Sequence, residues 1–167
     1  PDKLIVWGEQ TKNHAIKYMK INENKIECFG AAQFDVYRTP PKESRAELAA
    51  FFDVKPELKI VLYAGSGGAK YETEYLKLLE EGISQSIIPK VHIIYRPHPW
   101  RGGLAPGEED FLSINWKHIS IDPTMRDFYK SEIKSPKGRV FLADYENSNK
   151  LLTLVDAVIS PLSTMLI

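Results

Sequence analysis

The residues best suited to chemistry in this 167-residue sequence are Arg96 and His98, set in the run Arg96-Pro97-His98-Pro99. Each proline fixes its own φ and pushes the residue before it toward an extended conformation, so the loop is stiff and presents a guanidinium beside an imidazole. Arg offers a planar fork of donors and His one or two ring N–H groups, a pair suited to phosphate oxygens. The same four residues could also form only a rigid turn with a surface Arg and a hydrogen-bonded His. Trp100 and Arg101 extend the loop, to line a site or to pack.

Two other stretches carry comparable potential. Gly65-Ser66-Gly67-Gly68 follows the apolar run Leu58–Ala64. Glycines let backbone N–H groups approach a phosphate, and a following helix N-terminus favours negative charge. The loop lacks the Gly-Lys-Ser/Thr of a Walker A motif, and Lys70 stands where G-x-G-x-x-G needs its last glycine. A tight strand-to-helix turn explains it equally well. Ser160-Pro161-Leu162-Ser163-Thr164 follows the apolar run Ala157–Ile159; its hydroxyls could cap a helix, bind an anion, or do both.

The elements that must position these loops follow from hydrophobic pattern. Short apolar runs at Leu4–Trp7, Lys25–Phe29, Leu58–Ala64, Val91–Tyr95, Ile119–Ile121, Val140–Leu142 and Ala157–Ile159 read as strands. Between them, Ala15, Tyr18 and Met19 mark one helical face. Leu48, Phe51 and Phe52 mark a second, Tyr71, Tyr75, Leu78 and Leu79 a third, and Leu151, Leu154 and Val155 a fourth capped by Asn147 or Ser148. A helical turn is expected at Met125–Tyr129, and residues 100–117 make an unusually long polar connection. Alternating strands and helices predict an α/β fold, a Rossmann-like, mostly parallel sheet flanked by helices. All loops that follow parallel strands share one sheet edge, so the three loaded loops should converge there. Asp35–Pro41 suits a linker and divides the sequence into residues 1–35 and 36–167.

Composition narrows the functional classes. Lys and Arg total 22, as do Asp and Glu, so a broad basic surface for nucleic acid is not expected. Cys28 is alone, so no intrachain disulfide can form and a reducing cytoplasm is the expectation. His14, His92 and His118 show no ligand spacing, so no metal site is expected. Asp122, Asp127 and Asp144 read as capping or solvated, and Glu108-Glu109-Asp110 as a solvated charge run. No G-x-S-x-G elbow is present. The first residue is not Met, and Ser163-Thr164 before an apolar run resembles a helix start, so a piece of a longer protein is expected.

Taken in order, Gly65-Ser66-Gly67, Arg96-Pro97-His98-Pro99 and Ser163-Thr164 resemble the carboxyl-terminal, donor-binding half of GT-B glycosyltransferases. The His-Pro motif is similar to that of bacterial sialyltransferases and CDP-glycerol polymerases, and residues 1–35 look like the end of the amino-terminal half with its crossover. The resemblance implies catalytic roles for His98 and Arg96 and donor contacts from Gly65, Ser66, Gly67, His98, Ser160, Ser163 and Thr164. It implies a nucleotide-activated sugar as substrate, CMP- or CDP-linked, with no separate cofactor and no obligatory metal. The nucleotide base is expected over the loop at Leu142–Tyr145. A carbohydrate acceptor would be held by the missing half, which would also carry the base, and the full-length protein could associate peripherally with a membrane. Surface polysaccharide biosynthesis is the implied setting, and the isolated piece is expected to be inactive. A nucleotide-sugar 2-epimerase, a glycerol-phosphate polymerase and a non-catalytic nucleotide- or partner-binding module remain alternatives.

Overall fold

A computed structural model describes residues 2–67, 70–135 and 144–161. The chain divides into two compact units, Pro1–Pro40 and Pro41–Ile167.

In the first unit, β1 (Leu4–Val6) and β2 (Ile26–Cys28) pair in parallel, Leu4 opposite Ile26. The crossover α1 (Glu9–Lys17) packs Ala15 against Val6 and Ile26. Of the face expected on this helix only Ala15 is buried: the helix ends at Lys17, and Tyr18 and Met19 lie beyond it, exposed. The stretch expected as a linker is largely a 3-10 helix, Ala32–Arg38.

The second unit is a four-stranded sheet, all parallel, with helices on both faces. Its strands are β3 (Lys59–Ala64), β4 (Val91–Arg96), β5 (Ile119–Ile121) and β6 (Ala157–Ile159), in the order β5-β4-β3-β6. Its helices are α2 (Arg45–Phe51), α3 (Glu72–Ser84), α4 (Arg126–Lys134) and α5 (Tyr145–Leu154). This is the α/β, Rossmann-like architecture that the pattern predicts. The strand expected at Val140–Leu142 falls outside the described residues.

Side chains alternate across the sheet with period two. Ile60, Leu62, Ala64 and Ile94 meet Leu48, Phe52, Leu151 and Leu154 of α2 and α5. On the opposite face Tyr63, Ile93 and Tyr95 meet Leu76 and Ile83 of α3 and Tyr129 of α4. Fully burying one such side chain contributes roughly 1.5–3 kcal/mol, so these two layers hold the unit together.

Three helices differ in detail from the sequence pattern. At the end of α2, Phe51 is 47% exposed, while Phe52, which caps the helix, is fully buried. On α5 the cap is Asp144, whose carboxylate accepts from the Asn147 N–H, not Asn147 or Ser148. On α3 the expected face is displaced: Tyr71, Tyr75 and Leu78 are exposed, while Glu72, Leu76 and Ile83 are buried and only Leu79 is common to both. The buried stripe has proper helical spacing (72, 76, 79, 83), but a glutamate heads it. Among the described residues no helix is long and apolar enough to cross a membrane.

One local device starts α2 and another ties it to the sheet. Ser44 and Glu47 form a reciprocal capping box at the start of α2. Asp156, ahead of β6, accepts from Lys59, Arg45 and the Ile60 N–H. The Lys59 ammonium, the Ile60 N–H and then Arg45 hold its carboxyl well below the ordinary value of 3.8.

Ser44→Ala should therefore cost about 1 kcal/mol in urea denaturation. A depressed folded-state pKa means that Asp156 contributes its full stabilisation above pH 3.8 and loses it as the pH falls below that value. Urea midpoints measured against pH should show Asp156→Asn less stable at neutral pH, with a shallower acid-side decline.

Candidate functional site

Parallel pairing sets Ala64 level with Arg96, and Ile159 level with Tyr63, so the loops after β3, β4 and β6 leave the same edge of the sheet. The first two touch. The Gly65 N–H donates to the Arg96 carbonyl at 2.9 Å. A Cβ placed on Gly67 would stand 3.0 Å from Cε1 and Nδ1 of His98, and one on Gly65 would stand 2.9 Å from both Glu72 carboxylate oxygens. A side chain at Gly65 would force the Glu72 carboxylate to shift, and one at Gly67 would press on the His98 ring, so the turn favours glycine because of what packs on either side of it. Ser160 lies at the same edge after β6, with a buried Oγ that has no hydrogen-bond partner. Gly68, Ser163, Thr164 and Leu142 lie outside the described residues.

His98 is half-buried and its ring is held at its Nδ1 edge. The Trp100 N–H donates to Nδ1 at 3.0 Å. Since a backbone N–H can only donate, Nδ1 accepts and the neutral ring carries its proton on Nε2. Burial lowers the imidazole pKa below its ordinary 6.5, which favours this neutral form at pH 7. The Trp100 ring lies 5.7 Å away, edge-on, and is 68% exposed. The arrangement can offer one directed N–H to an acceptor.

Arg96 serves differently from the exposed fork expected of it. It is the last residue of β4 and only 7% exposed. Its Nη2 donates to Ser148 Oγ at 2.8 Å, and its Nη1 lies 3.3 Å from Asp122 Oδ2. Asp122 is fully buried rather than solvated; its Oδ1 also accepts from the Thr124 N–H and hydroxyl. Arg96 therefore ties β4 to the β5 end and to α5, and its charge is already matched inside the protein.

Glu72, which the sequence pattern left out, joins Tyr95, Arg101 and Glu108 in a buried polar cluster under the glycine turn. Glu72 is fully buried. Its Oε1 accepts from the Ser66 N–H at 2.8 Å; its Oε2 accepts from the Tyr95 hydroxyl at 2.7 Å and from Arg101 Nη1 at 2.8 Å. Burial pushes the Glu72 carboxyl above the usual range, against the pull of those three donors. Arg101 also pairs with Glu108, whose carboxylate accepts from the Ala105 and Thr73 N–H groups. Burial opposes ionisation of Glu108, but the Ala105 N–H and Arg101 outweigh it and hold its carboxyl below the usual range. Glu108 thus belongs to this cluster and not to a solvated charge run. Tyr71 enters α3 in the left-handed region (φ 59°), which costs a non-glycine residue roughly 1–2 kcal/mol.

The cluster changes what the glycine turn can do. The Thr73 and Ser66 N–H groups, which a phosphate could have used, are taken by the protein's own carboxylates. A cavity of about 200 Å³ opens beside the turn, between Ser66, Gly67 and Lys70 on one side and residues 102–106 on the other. That is smaller than a pocket for a drug-sized ligand, and His98 does not line it. Elsewhere, His92 Nε2 pairs with Ser120 Oγ across β4 and β5, as a satisfied core histidine does. Among the described residues no group of three or more His, Cys, Asp or Glu side chains is placed to hold a metal ion.

No protein-family model matches the sequence, and no curated protein does. Among solved structures, two variants of the wall teichoic acid polymerase TagF align with TM-scores of 0.54 and 0.50, each at 16% identity. The alignments cover 98% of this chain and 35% of the TagF chain, so the chain spans about a third of that protein's length. A glycosyltransferase from Rickettsia africae ESF-5 aligns over 94% of this chain and 37% of its own, with 17% identity and a TM-score of 0.39, too weak to build on. At such identity the likeness is one of fold: a parallel, helix-flanked sheet of the kind expected for a GT-B half.

If Arg96 is a strut and His98 a directed donor, their substitutions should separate in stability. Arg96→Ala leaves Asp122 buried without its cation and should cost about 3–5 kcal/mol. His98→Ala, at a half-buried loop, should cost under about 1.5 kcal/mol. Urea denaturation of both variants checks the ordering.

Proposed function

We propose that the carboxyl edge of the sheet in the second unit binds the phosphates of a nucleotide-activated donor, as part of a transferase that builds a surface carbohydrate polymer. The observation that carries this is the His98 ring, packed against Gly67 with its Nδ1 accepting from the Trp100 N–H, which puts the neutral ring's proton on Nε2; that N–H is the proposed donor. As the bond between donor group and phosphate breaks, negative charge grows on the departing phosphate, and a fixed N–H aimed at that oxygen lowers the barrier. The partnerless Ser160 hydroxyl lies at the same edge and is proposed as a second donor. Ser163 and Thr164 are proposed to add theirs. Arg96 is proposed to act indirectly, by fixing the strand end from which the 97–99 loop departs. This stabilisation uses protein donors alone, without a metal ion or a separate cofactor.

The fold likeness to a wall teichoic acid polymerase favours polymer formation over the 2-epimerase reading. By the same likeness the first unit is proposed to be the end of an acceptor-binding half that lies largely outside this chain, with cytoplasmic location and peripheral membrane association following from that role.

Calorimetric titration of CMP, CDP, UDP and GDP into the chain tests the proposal. Binding in the millimolar range or tighter, with cytidine nucleotides preferred, is expected. His98→Ala should weaken it about 10- to 100-fold, the worth of one hydrogen bond to a charged group, and EDTA should leave it unchanged. If no nucleotide binds and the His98 variant behaves as the parent does, the donor site is refuted.

A further inference from the structure

We propose that Glu72 is a positioning residue, whose buried carboxylate clamps the 65–67 turn so that Gly67 forms the seat of the His98 ring. The inference rests on the donor-site reading only for its consequence in ligand binding; the clamp itself is a matter of geometry.

Four contacts lead to it. The carboxylate takes the Ser66 N–H at 2.8 Å from inside the fold. Both its oxygens would lie 2.9 Å from a Cβ on Gly65, and the His98 backbone nitrogen would lie 3.1 Å from that same Cβ. One residue on, a Gly67 Cβ would meet the imidazole at 3.0 Å. The turn is thus held between a carboxylate on one side and the His98 loop on the other, so that any added side chain must displace one of them. A carboxylate accepts strongly from an N–H, and this one is itself fixed by Tyr95 of β4 and by Arg101.

Every charged or titratable group facing Glu72 fits a holding role. Tyr95 and Tyr63 come from the sheet, Arg101 from the loop after His98, and Glu108 lies behind Arg101. Burial, followed by the Glu72 charge, pushes the Tyr63 hydroxyl up to about 12, so neither tyrosine ionises near neutrality and both keep their protons. The Arg101 N–H also donates to the His98 carbonyl at 3.0 Å. Arg101 therefore touches the clamp through its side chain and the His98 loop through its backbone. Glu72 has no route to solvent and no place for substrate, so its effect on His98 must pass through the turn and this loop.

Nuclear magnetic resonance on the chain without ligand tests the clamp, following the Ser66 amide and the His98 ring through a pH titration. In the parent the His98 midpoint should lie below 6.5. Glu72→Gln removes the charged acceptor: the Ser66 amide should shift upfield, and the His98 midpoint should rise toward the unperturbed value as the turn loosens and the ring hydrates. Tyr95→Phe, which leaves the Ser66 bond in place, should move both signals less. Gly67→Ala pushes the ring directly, weakens its bond from Trp100, and should raise the midpoint while the Ser66 amide stays near its parent position. Should Glu72→Gln fail to fold, as circular dichroism would reveal, the Gly67 and Tyr95 variants decide. A folded Glu72→Gln with both signals unmoved overturns the proposal, as does a Gly67→Ala that leaves the His98 midpoint in place. A parallel CDP titration keeps the two ideas apart: shifted resonances with no CDP binding in any variant sustain the clamp and refute the donor site.

Discussion

Parallel pairing of β3 with β4 is the constraint from which the candidate site follows. It sets Ala64 level with Arg96, so the two chains leave the sheet side by side and the Gly65 N–H meets the Arg96 carbonyl before either loop has diverged. That contact brings the glycine turn so close to the His98 ring that a Cβ on Gly67 would stand 3.0 Å from it. Had the register slipped by one residue, the faces of β4 would exchange: Tyr95 would turn away from Glu72, and Arg96 away from Ser148 and toward α3. Register thus fixes both the hydrophobic layers and the polar groups that orient the imidazole.

The second organising feature is the handling of buried charge. Glu72, Arg101 and Glu108 are close to fully buried, and so are Arg96 and Asp122. Isolated ions in such places are strongly disfavoured, so each is matched by partners of opposite sign or by backbone N–H groups. The N-terminal turn of α3, which elsewhere in α/β proteins receives ligand phosphates, receives Glu108 through the Thr73 N–H. The protein has supplied its own anion at that position. The glycine turn is therefore less open to an anion than a glycine-rich loop suggests, because the Ser66 and Thr73 N–H groups already serve the protein's own carboxylates.

Much of this was legible in the sequence, and the parts that were not share a cause. The strands β3, β4, β5 and β6 stand out because their apolar runs are short, β-branched and punctuated by Gly, Pro or Ser, and alternation with helices gives the parallel sheet. The loops at Gly65 and His98 could be placed on one edge from that topology alone. The α3 face could not, because Tyr71, Tyr75 and Leu78 outline an apolar stripe as plausible as Leu76, Leu79 and Ile83. Counting hydrophobic residues never puts a glutamate at the head of a buried stripe. The burial of Glu72, Glu108 and Asp122 could not be read for the same reason: the partners that keep a buried carboxylate satisfied include groups far along the chain. Ser66 stands 6 residues from Glu72, but Arg101 stands 29 away and Tyr95 23. The burial of Arg96 was hidden in the same way, since nothing local distinguishes a guanidinium that faces solvent from one paired with a buried acid.

The loop also carries its own optical gauge. Trp100 holds an exposed indole 5.7 Å from the His98 ring, edge toward face. Imidazolium quenches indole emission far more than neutral imidazole does, so the brightness of this one chromophore follows the protonation of its neighbour. With Trp7 and Trp116 replaced by phenylalanine, a fluorimeter could read the state of His98 in dilute solution, without isotopes.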